Sequence, residues 1–260
     1  MPIITKEEPT DNPSGALILY ENLLIAEDMG GNRANALTPT TFDRWTDVAG
    51  DMIASFQLST PTFINSIGIA AHNLAGKNTR FTIQTAETID GARIDHASII
   101  PINNEPILIT FKPTLAAEIR IEGLLIGSAI PREIGVVYAG NTLQMPRNIY
   151  GGHSPITLSQ KTEYQSVKSE SGQILGKTII RKGLETAFSW QFLDDRFYRD
   201  EFQSFVESAR TTPFFIKWRP DFYSEEVAYG ETNQDIQPSN MGGGHRLMSV
   251  GLTMTAHADL

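Results

Sequence analysis

Arg80–Thr85, R-F-T-I-Q-T, alternates apolar and polar side chains, and Glu118–Glu122, E-I-R-I-E, repeats the pattern further along the chain. Successive side chains of an extended backbone point to opposite sides, so alternation marks a strand with one face in a core. Phe81, Ile83 and Thr85, with Ile119 and Ile121, form that face; Thr82, Gln84, Arg120 and Glu122 form the other. Around these two stretches, short apolar runs recur at Ile53–Leu58, Ile64–Ala71, Ile107–Phe111 and Glu133–Tyr138. Asp90-Gly91 and Gly76-Lys77-Asn78 between them are turn chemistry, since glycine adopts positive φ at little steric cost. Runs at this spacing predict an antiparallel β-sandwich.

Upstream, Ala16–Ala26 carries Leu17, Leu19, Leu23 and Ile25 and reads as a strand entering the sandwich, which places the first unit at 16–140 behind an arm of residues 1–15. Residues 141–152, with Pro146 and Gly151-Gly152, read as a linker. The remainder, 153–260, has a different rhythm. Ile156–Val167 and Gln173–Phe192 predict a long hairpin with its tip at Ser169–Gly172, and Phe188, Trp190 and Phe192 share one side of it. Tyr198, Phe202, Phe205, Val206 and Ala209 fall on one face of a helix over Arg196–Ala209, with Asp194-Asp195 placed to cap it and to meet its positive end. Strands follow at Phe214–Trp218, Glu226–Tyr229 and Arg246–Ala256. The fold class expected is mainly β: an N-terminal antiparallel sandwich, then a C-terminal α+β sheet or sandwich with one helix, each with its own interior.

Composition narrows the function. A formal charge of −9 from 21 basic and 30 acidic residues works against binding a nucleic-acid backbone. The absence of cysteine removes thiol catalysis, disulfides and thiolate metal sites. The N-terminal residues lack the order of a secretory signal, and no run approaches the roughly 18 apolar residues of a membrane span, so synthesis in a cytoplasm is expected. Five histidines lie far apart without H-E-x-x-H or H-x-H spacing, and neither a G-x-S-x-G elbow nor a Walker loop is present. Asp194-Asp195 is explained by capping and Glu225-Glu226 by a solvated strand edge, which leaves no catalytic residues and no enzyme activity expected.

Ala34–Tyr138 resembles the discoidin, or coagulation-factor C-type, family of galactose-binding-like jelly rolls. The residues that carry the likeness are Ala34-Asn35-Ala36-Leu37 followed by Trp45, Ile53–Leu58, Ile64–Ile69, Phe81–Thr85 with Asp90-Gly91, Glu118–Ile121 and Pro131–Val136. The tryptophan and aspartate of the family's first strand are absent from Ile53–Leu58. The resemblance implies a binding module for sugars, lipids or proteins, sometimes with calcium in the opening loop. Here Thr38–Arg44 offers mainly Asp43, with Glu133 at a distance, which falls short of the oxygen ligands calcium requires; no cofactor is expected. The C-terminal half is similar in element order to the ring-forming domains of tailed-bacteriophage distal tail and tail-tube-like proteins.

The resemblances together imply a structural protein of a bacteriophage tail tip, a distal tail or baseplate ring subunit bearing a galactose-binding-like module. Its partners would be copies of itself in a ring, six favoured over three, other tail proteins and a host-surface glycan, with the virion tail tip as its location. The alternative is a free-standing carbohydrate-binding protein; a third reading is an enzyme with an attached module. Candidate glycan contacts are Trp45, His72, Asn73 and Arg80, against the plainer readings of Trp45 as a core anchor and His72-Asn73 as a loop bonding its own backbone. Candidate interface residues are Phe215, Trp218, Phe222 and Tyr223, because aromatic rings are enriched at interface centres, against core packing as the default.

Overall fold

The computed structural model describes residues 15–26, 32–47, 52–76, 79–125, 131–242 and 246–257, and the arm expected over 1–15 lies outside them except for Gly15. Within these, the strands are β1 (Leu17–Leu19), β2 (Leu24–Ile25), β3 (Trp45–Asp47), β4 (Met52–His72), β5 (Thr79–Ala86), β6 (Arg93–Ile99), β7 (Ile107–Leu125), β8 (Arg132–Gly140) and β9 (Leu143–Gln144). The second half adds β10 (Gln160–Lys168), β11 (Ile174–Asp194), β12 (Phe214–Lys217), β13 (Val227–Thr232), β14 (Pro238–Asn240) and β15 (Leu247–Ala256). Between β11 and β12 lies one helical segment, made of α1 (Asp195–Phe197), a π-turn (Tyr198–Phe202) and α2 (Gln203–Ala209).

One antiparallel sheet runs β3-β8-β4-β7-β5-β6, with β2 on β4. The runs expected as separate strands at Ile53–Leu58 and Ile64–Ala71 are the two halves of β4, and Ile107–Phe111 and Glu118–Leu125 are the two halves of β7. Their pairing breaks register between Gln57 and Thr62 and between Ile64 and Ser66. Pro61 and Pro113 sit in these breaks, where a residue without an N–H leaves no ladder bond unmade. The sheet bends there and folds back on itself, so that Phe56, Ile119 and Ile121 from one side meet Ile67, Ile69 and Ile109 from the other in a first core.

The second sheet runs β10-β11-β15-β13-β12-β1-β9, with β14 on β15. The helical segment covers one face of it through the five residues its periodicity named, all buried with Trp190, Phe214 and Ile216 in a second core. The side chain of Asp194 accepts from the Arg196 N–H and caps the first turn. Phe192, expected to point inward with Phe188 and Trp190, is exposed instead. A bulge between Trp190 and Leu193 adds one residue to β11, Phe192 takes φ of +59°, and Leu193 fills the inward position.

Two expected boundaries move. The apolar run through Leu17–Leu19 predicts the start of the sandwich, but β1 pairs with β12 and β9 in the second sheet. The supposed linker 141–152 contains β9 and the buried Leu143 and Met145. A third apolar cluster joins the two sheets: Ala70, Leu108, Val136 and Tyr138 from the first meet Leu19, Phe215, Val227 and Tyr229 from the second.

Candidate functional site

Sequence reasoning grouped Trp45, His72, Asn73 and Arg80 as one sugar-contacting set, and the structure does not gather them on one open surface. Trp45 is 3% exposed, its ring edge-on to Phe56 at 5.9 Å within the first core. His72 closes β4 rather than standing in a loop, and its side chain is fully buried. The Leu74 N–H donates to His72 Nδ1, which leaves Nε2 to donate to the Glu105 carbonyl at 2.9 Å. Asn73 exchanges backbone and side-chain bonds with Glu133 across the end of β8. Arg80 alone is exposed. The apolar run ends at Ala71 in the sequence, but β4 continues one residue further, which turns a predicted loop residue into an interior strut.

The aromatic set divides in the same way. Phe215 is fully buried in the cluster between the sheets, 4.6 Å from the Tyr229 ring and 5.5 Å from that of Tyr138. Trp218 is buried too, stacked on Tyr223 and donating through Nε1 to Glu226. Phe222 and Tyr223 are exposed, with the Arg219 guanidinium 4.7 Å above the Phe222 ring. Only this pair is free to meet another chain.

Arg44 holds Glu133 in a 3.0 Å ion pair, and among the described residues no three His, Asp or Glu side chains converge as metal ligands.

Two features that sequence reasoning passed over have the exposure a site requires. The first is the hairpin β10–β11, whose outer part projects as a ribbon of two strands. Tyr164, Val167, Ile174, Leu175, Ile179 and Ile180 along it are each at least 47% exposed. An isolated two-stranded ribbon is marginal in water, and such apolar surface marks a place for contact. The second is a cleft of about 870 Å³ where the loop Pro39–Phe42 of the first sheet faces the root of β10–β11 and the ends of β13 and β15. Phe42 stands 90% exposed at its rim. Tyr229 forms part of the floor and donates its hydroxyl to the Pro39 carbonyl at 2.6 Å. Burial raises the pKa of the Tyr229 phenol far above its ordinary value, with the neighbouring Tyr138 adding to the shift, so this donor persists across the pH range of a folded protein.

No family model matches the sequence, and no curated protein matches it. Among solved structures, a CBM32 module of AlyQ in complex with 4,5-unsaturated mannuronic acid is 20% identical, with 46% of this chain and 96% of that one covered at a TM-score of 0.37. A CBM32 module of Clostridium perfringens in complex with GalNAc-β-1,3-galactose is 12% identical, with coverages of 54% and 94% and a TM-score of 0.36. Chitosan-binding module 1 of a chitosanase/glucanase from Paenibacillus sp. IK-5 is 15% identical, with coverages of 49% and 96% and a TM-score of 0.37. These are carbohydrate-binding modules of the galactose-binding-like kind; none of the three bears on the likeness to tail proteins. At such scores the likeness carries no weight about ligand.

Proposed function

We propose that this chain is a non-catalytic structural subunit that assembles with copies of itself through the β10–β11 ribbon. The observation that carries the reading is the row of exposed aliphatic and aromatic side chains on a ribbon that no other described part of the chain covers. Charge supports a second copy as the cover. Residues 160–183 hold five basic and two acidic side chains, a balance of +3, which leaves −12 for the rest of a chain whose total is −9. A basic ribbon meeting the acidic body of a neighbour is attractive, and ribbon-to-body contact is heterologous, the geometry that closes into rings.

The setting we infer is a bacteriophage tail tip, with the ring of six or three copies joined by other tail proteins; its support is the long hairpin β10–β11 followed by the helical segment and β12–β15. Light scattering on the full chain tests the assembly. A multiple of the chain mass is expected, reduced when Ile174→Asp and Leu175→Asp are combined at the ribbon's end, and weakened by salt because the attraction is partly ionic. A strictly monomeric protein at roughly tens of micromolar, where a micromolar interface is mostly occupied, would defeat the reading. Presence in purified virions tests the setting separately. The second reading, a carbohydrate-binding protein, is favoured by the cleft.

A further inference from the structure

We infer that the cleft between the Pro39–Phe42 loop and the root of the β10–β11 ribbon binds a neutral oligosaccharide. Its volume of about 870 Å³ falls among clefts that enclose small ligands, but its lining is unlike the apolar lining usual for them. Three cations, Lys161, Arg181 and Lys182, face three carboxylates, Glu163, Glu185 and Glu231. The balance is zero, so neither a polyanion nor a polycation gains from entering.

Two of these cations are already paired inside the cleft, Arg181 with Glu163 at 2.9 Å and Lys161 with Glu185. Pairing orients these partly exposed side chains without exhausting them: a guanidinium has five N–H donors and a carboxylate about four acceptor sites. What remains is a wall that offers both donors and acceptors. A sugar hydroxyl both donates and accepts, and is the group that such a wall satisfies without a net charge. Asn233, whose Nδ2 donates to Thr255 Oγ1, adds an oriented amide oxygen. Phe42 supplies the remaining element, an exposed ring at the rim on which the C–H face of a pyranose can lie. A peptide would also fill a cleft of this size and is the competing occupant that the test must exclude.

The cleft uses both sheets, and none of Trp45, His72, Asn73 or Arg80 lines it. It is therefore a different site from the one the sequence suggested. Ile174 and Leu175 at the ribbon's end are not among its walls, so changing them weakens assembly without altering the lining of the cleft.

The test is titration of the full chain, and of the Ile174→Asp/Leu175→Asp form, with cellotriose, maltotriose, galactotriose and N-acetylchitotriose, followed by ligand-observed NMR. Trigalacturonate and a synthetic peptide of residues 168–177 serve as the anionic and peptide probes. Binding of at least one neutral trisaccharide is expected, about tenfold weaker in Phe42→Ala and in Asn233→Ala, the loss of roughly 1.4 kcal/mol. Both side chains are exposed, so neither change should disturb folding, and circular dichroism checks this. Silence on all four neutral sugars, preference for trigalacturonate or for the peptide, or neutral binding indifferent to both substitutions each overturns the inference. Sugar binding that survives in a chain found to be monomeric would separate this result from the failure of the assembly reading.

Discussion

Replacing Gly68 by Ala should destabilise the protein in the wild-type background and stabilise it once Phe215 is removed. Gly68 lies on β4 and Phe215 on β12, on opposite sides of the seam between the sheets. A Cβ at Gly68 would stand 2.8 Å from two carbons of the Phe215 ring and 3.0 Å from a third, against an optimum of roughly 3.5–4.0 Å. Neither side can retreat. Gly68 is paired with Leu108 on one flank and Tyr138 on the other, and Phe215 with Leu19 and Tyr229. Overpacking of this kind costs about 1–3 kcal/mol. Gly to Ala in a strand recovers roughly 0.5–1 kcal/mol of backbone entropy, so the net cost should lie between about 0 and 2.5 kcal/mol by these two terms, centred near 1. Phe215→Ala alone should cost about 3–5 kcal/mol, since the ring is fully buried. In that background the new methyl enters vacated space, the clash disappears, and Gly68→Ala should gain about 0.5–1 kcal/mol. Urea unfolding of the four proteins, followed through Trp45 in one core and Trp190 in the other, yields the cycle. Costs that simply add, within about 0.5 kcal/mol, would refute the claim that these two sheets are locked face to face at this point.

Four further outcomes follow from named contacts. Burial alone would raise the Glu118 pKa, but bonds from Ser55, the Asp90 N–H and Arg93 outweigh it and hold the carboxyl below its ordinary value of 4.5. The folded pKa being the lower one, the stability Glu118 contributes is present above the unfolded value and lost as pH falls through the folded one; acid titration of stability should therefore be shallower in Glu118→Gln, and equal slopes would count against it. Asp194→Ala removes the cap on Arg196 and should cost about 1 kcal/mol in thermal or urea unfolding. Tyr229→Phe removes the 2.6 Å bond to Pro39 that closes the cleft floor and should cost about 1–2 kcal/mol, with no loss of stability as the contrary result. A chain beginning at residue 153 lacks β1 and β9 and should fail to show a cooperative melt; a sharp transition would mean that the second sheet does not need them.

What the sequence made legible was periodicity. Phe81/Ile83/Thr85 and the helical face Tyr198–Ala209 are buried as read, because each alternates against a single polar side. Two other runs do not alternate: Ile67-Gly68-Ile69-Ala70-Ala71 and Val136–Gly140 are apolar throughout and buried on both faces. That was the available signal for a second layer behind the first sheet, since a strand covered on both sides loses its polar face. Phe192 was misread because a bulge leaves no mark in a two-residue period. β1 and β9 were misassigned because three- and two-residue strands carry too few side chains to name their sheet. The cleft was invisible for a related reason: residues 39–42, 161–185 and 229–257 are brought together only by the seam. Phe42 could have been flagged as an aromatic ring inside a Thr-, Pro- and Asp-rich loop.

The placement of β1 and β9 changes what kind of protein this is. The chain leaves the second sheet after β1, builds the folded-back sheet, and returns at β9, the immediate neighbour of β1: Leu17 faces Gln144 and Ile18 faces Leu143. The first unit is thus an insertion between two adjacent antiparallel strands, not a module on an N-terminal stalk. Insertions are tolerated where the ends lie close together, and a paired β1–β9 brings them as close as a hairpin would. An inserted unit is held by two chain crossings instead of one, and here also by the apolar seam around Phe215 and Tyr229. Its freedom to swing is small, so the loop carrying Phe42 keeps its distance from the root of the ribbon. The ribbon itself leaves the opposite edge of the same sheet, where β10 is the last strand. Lys161 and Glu163 on β10, paired with Gly183 and Arg181 on β11, are at once the root of the ribbon and a wall of the cleft, so a contact that shifts the ribbon shifts that wall directly.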